Sequence, residues 1–150
     1  MPAVTFDRTI RVHAEPGDVW RVITDVPLVA SWVTVVDDVH EHEALVRYDA
    51  VLADRVGPFK LSADLDVDVK KVDAPHAIEV AADGEDRQVA SRIQIGARVA
   101  LAADDTGTAI RVSGQYEVTG RVATLGASMI KSKGEKILDE FFGALAGHFG

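Results

Sequence analysis

The densest group of side chains able to hold a metal is His40, Glu41, His42 and Glu43. In a strand, residues two apart share a face, so the two imidazoles point one way and the two carboxylates the other. A zinc site needs three or four convergent ligands. This run supplies two per face, and His13 and His76 join it only through tertiary contact, so it reads as an exposed polar strand. Asp64, Asp66 and Asp68 form a second group. Paired carboxylates do acid–base work when their surroundings separate their pKa values, yet these three alternate with Leu65 and Val67 and so belong to a wet face. Asp37 and Asp38 are adjacent and diverge, which makes a poor calcium site. Gly120 and Gly126 enclose RVATL, a helical pattern rather than a glycine-rich phosphate cradle, and no dinucleotide or phosphate-loop fingerprint occurs. No spacing of Ser, His and Asp marks a nucleophilic triad, and cysteine is absent. The sequence carries no positive signal for catalysis, metal binding or a covalent cofactor, and the expectation is a binding protein.

The elements that frame such a protein follow from periodicity. Val4, Phe6, Ile10 and Val12 recur at period two, the signature of a strand with one buried face. Arg8 interrupts that face, as an edge position, a snorkelling side chain or a polar contact inside a pocket. Pro16 opens a short helix carrying Val19, Trp20, Val22 and Ile23. Asp25 and Pro27 then punctuate the chain before a second apolar patch, Leu28 to Trp32. Trp20 reads as core, while Trp32 stands between core and the rim of an opening.

From Val33 the pattern is that of strands. Val46, Tyr48, Ala50 and Leu52 share a face; Gly57 and Pro58 interrupt; Leu61, Ala63, Leu65, Val67 and Val69 then alternate with polar residues. Ile78, Val80 and Ala82, then Ile93 through Leu101, then Ile110, Val112, Tyr116 and Val118 repeat the theme. Asp83-Gly84 and the run Asp104 to Gly107 read as hairpin turns. After Gly120 the period becomes helical: Val122, Leu125, Met129, Ile130, Ile137, Leu138, Phe141 and Leu145 lie on one side of a helix expected from about Arg121 to Ala146. Gly126 and Gly134 weaken that helix by about 1 kcal/mol each relative to Ala, and are expected to give room for close packing or for a ligand.

Strands with one apolar face and a long amphipathic helix satisfy each other when the sheet bends around the helix. The chain is therefore expected to be α+β, one domain over residues 1–150, a curved antiparallel sheet around a C-terminal helix. Such an arrangement can enclose an apolar space. The candidate wall residues are Tyr48, Leu65, Ile95, Tyr116, Leu125 and Met129, each equally at home in a core. With 24 acidic and 16 basic residues, net charge −8, the surface repels phosphate backbones and nucleic acid is excluded as a partner. No basic leader opens the sequence, and no stretch approaches the roughly 20 apolar residues that span a bilayer.

VGPFKLSADLDVDV at Val56 to Val69 and GRVATLGASMIKSKGEKILDEFF at Gly120 to Phe142 resemble the CoxG family of carbon monoxide dehydrogenase subunits, within the START-like, helix-grip (SRPBCC) superfamily. Val19-Trp20 and GTAIRVSGQYEV at Gly107 to Val118 extend the similarity over nearly the whole chain. Gly57, Pro58 and Phe59 match the family's strand-opening motif; Gly120, Gly126, Phe141 and Phe142 match its terminal-helix motif. ASWVTV at Ala30 to Val35 stands where many relatives carry a cysteine- and proline-containing segment. The resemblance implies an accessory protein that binds a quinone-like apolar molecule noncovalently and assists electron transfer or membrane recruitment of a molybdenum carbon monoxide dehydrogenase or related hydroxylase. Phe59 joins the candidate ligand-binding residues on this ground. It also implies a cytoplasmic location, with membrane contact at the inner face of the cell membrane made through a tail beyond Gly150. A ligand-free docking or assembly factor, or a small-molecule enzyme on the same fold, are the alternatives.

Overall fold

A computed structural model of the chain describes residues 3–150. Strand β1 (Val4–Val12) leads into helices α1 (Pro16–Ile23) and α2 (Val26–Ser31). A meander follows: β2 (Val36–Glu43), β3 (Arg47–Val56), β4 (Phe59–Asp73), β5 (Ala77–Asp86), β6 (Ser91–Asp104) and β7 (Gly107–Gly120). A 3-10 turn at Val122–Leu125 and helix α3 (Ala127–His148) complete the chain. The seven strands form one curved sheet in the order β1-β7-β6-β5-β4-β3-β2, every pair antiparallel. The two short helices carry the chain from one edge of the sheet to the other.

Alternation along each strand becomes rows across the sheet. Tyr48, Val67, Ala82, Ile95, Tyr116 and Val4 stand in register, as do Ala50, Leu65, Gly84, Ile93 and Val118. Both rows face α3, while Asp64 and Asp66 face solvent on the other side. The apolar interior has two parts. One gathers Val12, Val19, Ile23, Ile110, Phe142 and Leu145, where α1 and the C-terminal half of α3 meet the sheet. The other gathers Val56, Leu61, Ala63, Ile93, Val118, Val122 and Ile130 around the beginning of α3. No helix among the described residues is long and apolar enough to cross a membrane.

Two expectations from the sequence are corrected. Asp83-Gly84 is not a turn but lies inside β5; the hairpin turns at Arg87–Ala90. The Asp86 carboxylate fixes that turn by accepting from Gln88 N (2.9 Å), Val89 N (3.3 Å) and, across the sheet, Ser62 N (2.7 Å). Gly84 is needed for a different reason: Leu65 of β4 lies across it, and a Cβ there would overlap Leu65 Cδ2 and the Asp64 carbonyl. The second hairpin does turn between Asp104 and Gly107. The terminal helix is also not continuous from Arg121. Gly126, with φ +97°, separates the 3-10 turn from α3, and a Cβ there would meet nothing within 4 Å. Its role is thus the left-handed backbone conformation that L side chains rarely adopt, not room for packing.

Candidate functional site

Beneath α3 the sheet leaves a cavity of about 200 Å³. Its floor is Ile93, Ile95, Tyr116 and Val118 from β6 and β7; its sides are Leu52 and Val56 of β3, Leu61 of β4 and Phe6 of β1; its roof is Ile130, Gly134, Ile137 and Leu138. Two glycines make this geometry. A Cβ at Gly114 of β7 would overlap the Gly96 carbonyl of β6 and meet Phe6 Cζ at 2.9 Å, so glycine there allows both the strand approach and the Phe6 ring above it. Gly134 of α3 lies above Tyr116, and a Cβ there would overlap the phenol oxygen and ring edge. The room expected at Gly134 is therefore present and is taken by Tyr116. Burial, with a smaller contribution from the Glu135 charge, holds the Tyr116 phenol above its ordinary pKa.

Asp54 and Lys133 are the charged residues of the lining. Both break apolar patterns: Asp54 continues the inward series Tyr48, Ala50, Leu52, and Lys133 falls between Ile130 and Ile137 on the helix face. They satisfy each other, Lys133 Nζ to Asp54 Oδ2 at 3.0 Å, with Asp54 15% and Lys133 35% exposed. The pair ties α3 to β3 while the lysine methylenes remain in the apolar wall. Arg8, the interruption in β1, reaches over the Phe142 ring, 5.4 Å from its centroid, to Asp139 Oδ1 at 2.7 Å. Farther along, Glu140 accepts from the Thr34 hydroxyl at 3.1 Å. Polar ties thus run from α3 to β3, to β1 and to the segment after α2.

Of the seven candidate binding residues, Ile95 and Tyr116 line this cavity. Tyr48 and Leu65 are buried in the same face of the sheet but outside it, the Tyr48 hydroxyl accepting from Leu45 N at 2.7 Å. Phe59 is half-buried at the β3–β4 hairpin with the Arg121 guanidinium 5.5 Å from its ring centroid, and Leu125 packs over Gly57. Met129, expected to face the concave side of the sheet, is 44% exposed. The break at Gly126 sets the phase of α3 so that Ile130, not Met129, points inward. Reading by strand and helix period alone missed Phe6, Leu52, Asp54, Ile130 and Lys133 as lining; the pattern-breaking charge Asp54 was the available signal.

The polar clusters fall elsewhere. His40 to Glu43 lie on the edge strand β2, where His42 Nε2 meets Asp49 Oδ2 at 2.9 Å. A hollow of about 700 Å³ on the outer face is lined by Asp64, Asp66, Asp83, Glu85 and Arg92, but it lies open to water and Arg92 already holds Asp83 in a two-point contact.

A curved antiparallel sheet gripping a C-terminal helix over an apolar cavity defines the START-like, helix-grip class. Solved structures agree. A conserved protein from Geobacillus kaustophilus superposes with a TM-score of 0.82 at 17% identity, covering 97% of this chain and 95% of that one. A START superfamily protein from Mycobacterium smegmatis superposes with a TM-score of 0.70 at 12% identity, covering 97% and 96%. No curated protein sequence matches the chain. Residues 9–149 match the model of CoxG, a family of carbon monoxide dehydrogenase subunits, and the chain belongs to that family.

Proposed function

We propose that the protein is a noncatalytic accessory protein that holds a quinone-like molecule in the cavity beneath α3 and serves a molybdenum carbon monoxide dehydrogenase or a related hydroxylase. The observation that carries this reading is the cavity itself, walled by Phe6, Ile93, Ile95, Ile130 and Ile137, with the two charges of its lining paired to each other. An apolar guest loses no hydrogen bond there, whereas a polar guest finds few partners. The volume bounds the guest. A cavity of about 150 Å³ accepts benzene, so about 200 Å³ accommodates one or two fused rings or a short length of hydrocarbon, and a longer chain has to leave past α3. A quinone ring fits that bound, and family membership supports the dehydrogenase as partner.

The test is extraction of gently purified protein with organic solvent followed by mass spectrometry, together with titration of the emptied protein with a naphthoquinone. Recovery of a quinone and saturable binding support the reading. A protein that carries no apolar molecule and takes up none is a docking or assembly factor instead.

A further inference from the structure

Of the ten arginines, eight have a carboxylate within 4.0 Å: Arg8, Arg11, Arg21, Arg47, Arg87, Arg92, Arg98 and Arg111. Arg55 and Arg121 have none among the described residues, and both stand at the end of the molecule formed by the β3–β4 hairpin and the start of α3. Arg55 lies directly opposite Lys60 across that hairpin. Like charges facing one another across two strands are destabilising, and among the described residues no carboxylate comes within salt-bridge reach of either, in a protein with 24 acidic and 16 basic residues. The remaining arginines are neutralised locally; these cations are left open.

Arg55 also contributes to the rim of a cleft of about 440 Å³ between the hairpin and α3, whose other walls include Gly57, Ser128, Met129, Ser132 and Lys136. Lys136 has no acidic partner among the described residues either, and Lys133, which with Val56 lines both this cleft and the apolar cavity, carries a third positive charge shared with Asp54. We infer that this cleft binds the phosphate group of an anionic ligand. Three basic residues, one of them sharing its charge with Asp54, and two serines line this one open space. A tetrahedral phosphate presents several acceptor oxygens, and arginine's planar fork pairs with two of them at once. Met129, 44% exposed at the rim, gives an apolar contact to whatever the phosphate is esterified with. The same chemistry is offered by a phospholipid headgroup and by a soluble phosphate ester, and the site stands independently of what fills the cavity.

The experiment measures binding of the intact protein to phosphatidylcholine vesicles containing phosphatidylglycerol, and separately to glycerol phosphate. Arg55→Gln/Lys136→Gln is compared with Lys70→Gln/Lys71→Gln, which removes the same charge from β4 outside the cleft. At about fivefold per cation, the cleft variant is expected to lose about 25-fold in affinity while the control keeps wild-type binding. All four side chains are exposed, so both variants should melt near the wild-type temperature. Binding to vesicles alone identifies a lipid headgroup; binding to glycerol phosphate, with or without vesicles, identifies the phosphate itself as sufficient. The inference is overturned if neither probe binds, or if the control variant weakens binding as much as the cleft variant does.

Discussion

Gly134→Ala isolates the contact that shapes the cavity roof. An alanine in the interior of a helix is favoured over glycine by about 1 kcal/mol, so a glycine without a neighbour should be stabilised by the exchange. Gly143, on the same helix, has nothing within 4 Å of a built Cβ and supplies that reference. At Gly134 the new methyl overlaps Tyr116, and not only its terminal oxygen: Cζ would lie at 2.6 Å and Cε1 at 3.1 Å. A planar ring anchored in β7 yields as a body, and the free space is the cavity below it. Overpacking of this kind costs about 1–3 kcal/mol. Gly134→Ala is therefore expected between neutral and about 2 kcal/mol destabilised, and Gly143→Ala about 1 kcal/mol stabilised. Urea unfolding with unchanged m measures both. The displaced ring also reduces the cavity, so uptake of a naphthoquinone should fall in Gly134→Ala and persist in Gly143→Ala. Adding Tyr116→Leu should recover most of the stability difference between the two positions. Equal stabilisation by both alanines, with undiminished uptake, would refute the reasoning.

Three further outcomes are expected. Neutralising Asp54 as Asp54→Leu leaves Lys133 without its partner and should cost about 1–3 kcal/mol, between the values for exposed and for buried pairs, while Asp54→Leu/Lys133→Leu should cost less than the two singles summed, as a double-mutant cycle in urea reads. Ile137→Trp should abolish quinone uptake by filling the cavity, whereas Met129→Trp, at an exposed position, should leave affinity unchanged; equal loss from both would place the guest outside the cavity. The Tyr116 phenol should ionise above its ordinary pH 10.0, seen as the part of the wild-type phenolate absorbance that Tyr116→Phe removes. Because the folded pKa is the higher one, the unfolded chain loses the proton first. That contribution leaves stability untouched below about pH 10 and lowers it as pH rises further, and Tyr116→Phe should show a shallower alkaline decline.

Most of the fold was legible in the sequence because its alternation is unbroken. Leu61 to Val69 reads as a half-buried strand whatever surrounds it, and such strands followed by a helical apolar stripe have few ways to pack. What escaped reading depends on contacts between elements distant in sequence. Asp83-Gly84 carries turn chemistry, yet the glycine serves Leu65 on another strand, and the turn belongs to Asp86, whose partners include Ser62. Met129 and Ile130 differ by one position on a helix wheel, and Gly126 decides which is inward by resetting the helix start. Asp54 is legible as a charge on an apolar strand face, whereas Lys133 sits among the charges of the helix's polar side, and only the packed structure shows that each is the other's partner. The cationic cleft was least legible: it joins Ser128, Ser132 and Lys136 of the helix to Arg55, which comes from a hairpin more than seventy residues away in sequence.

The roof of the cavity is anchored unevenly. Phe142 and Leu145 sink the far half of α3 into the larger apolar cluster, where Arg8 and Thr34 also hold it. The near half begins after a glycine break and is fastened by Ile130 and one lysine–aspartate contact. Segments with fewer buried contacts open locally at lower free energy than the whole molecule unfolds. For the guest proposed above, the apolar walls would set how tightly it is held and the fastening at Asp54 how long it stays. Residence time and affinity would accordingly be altered at different residues.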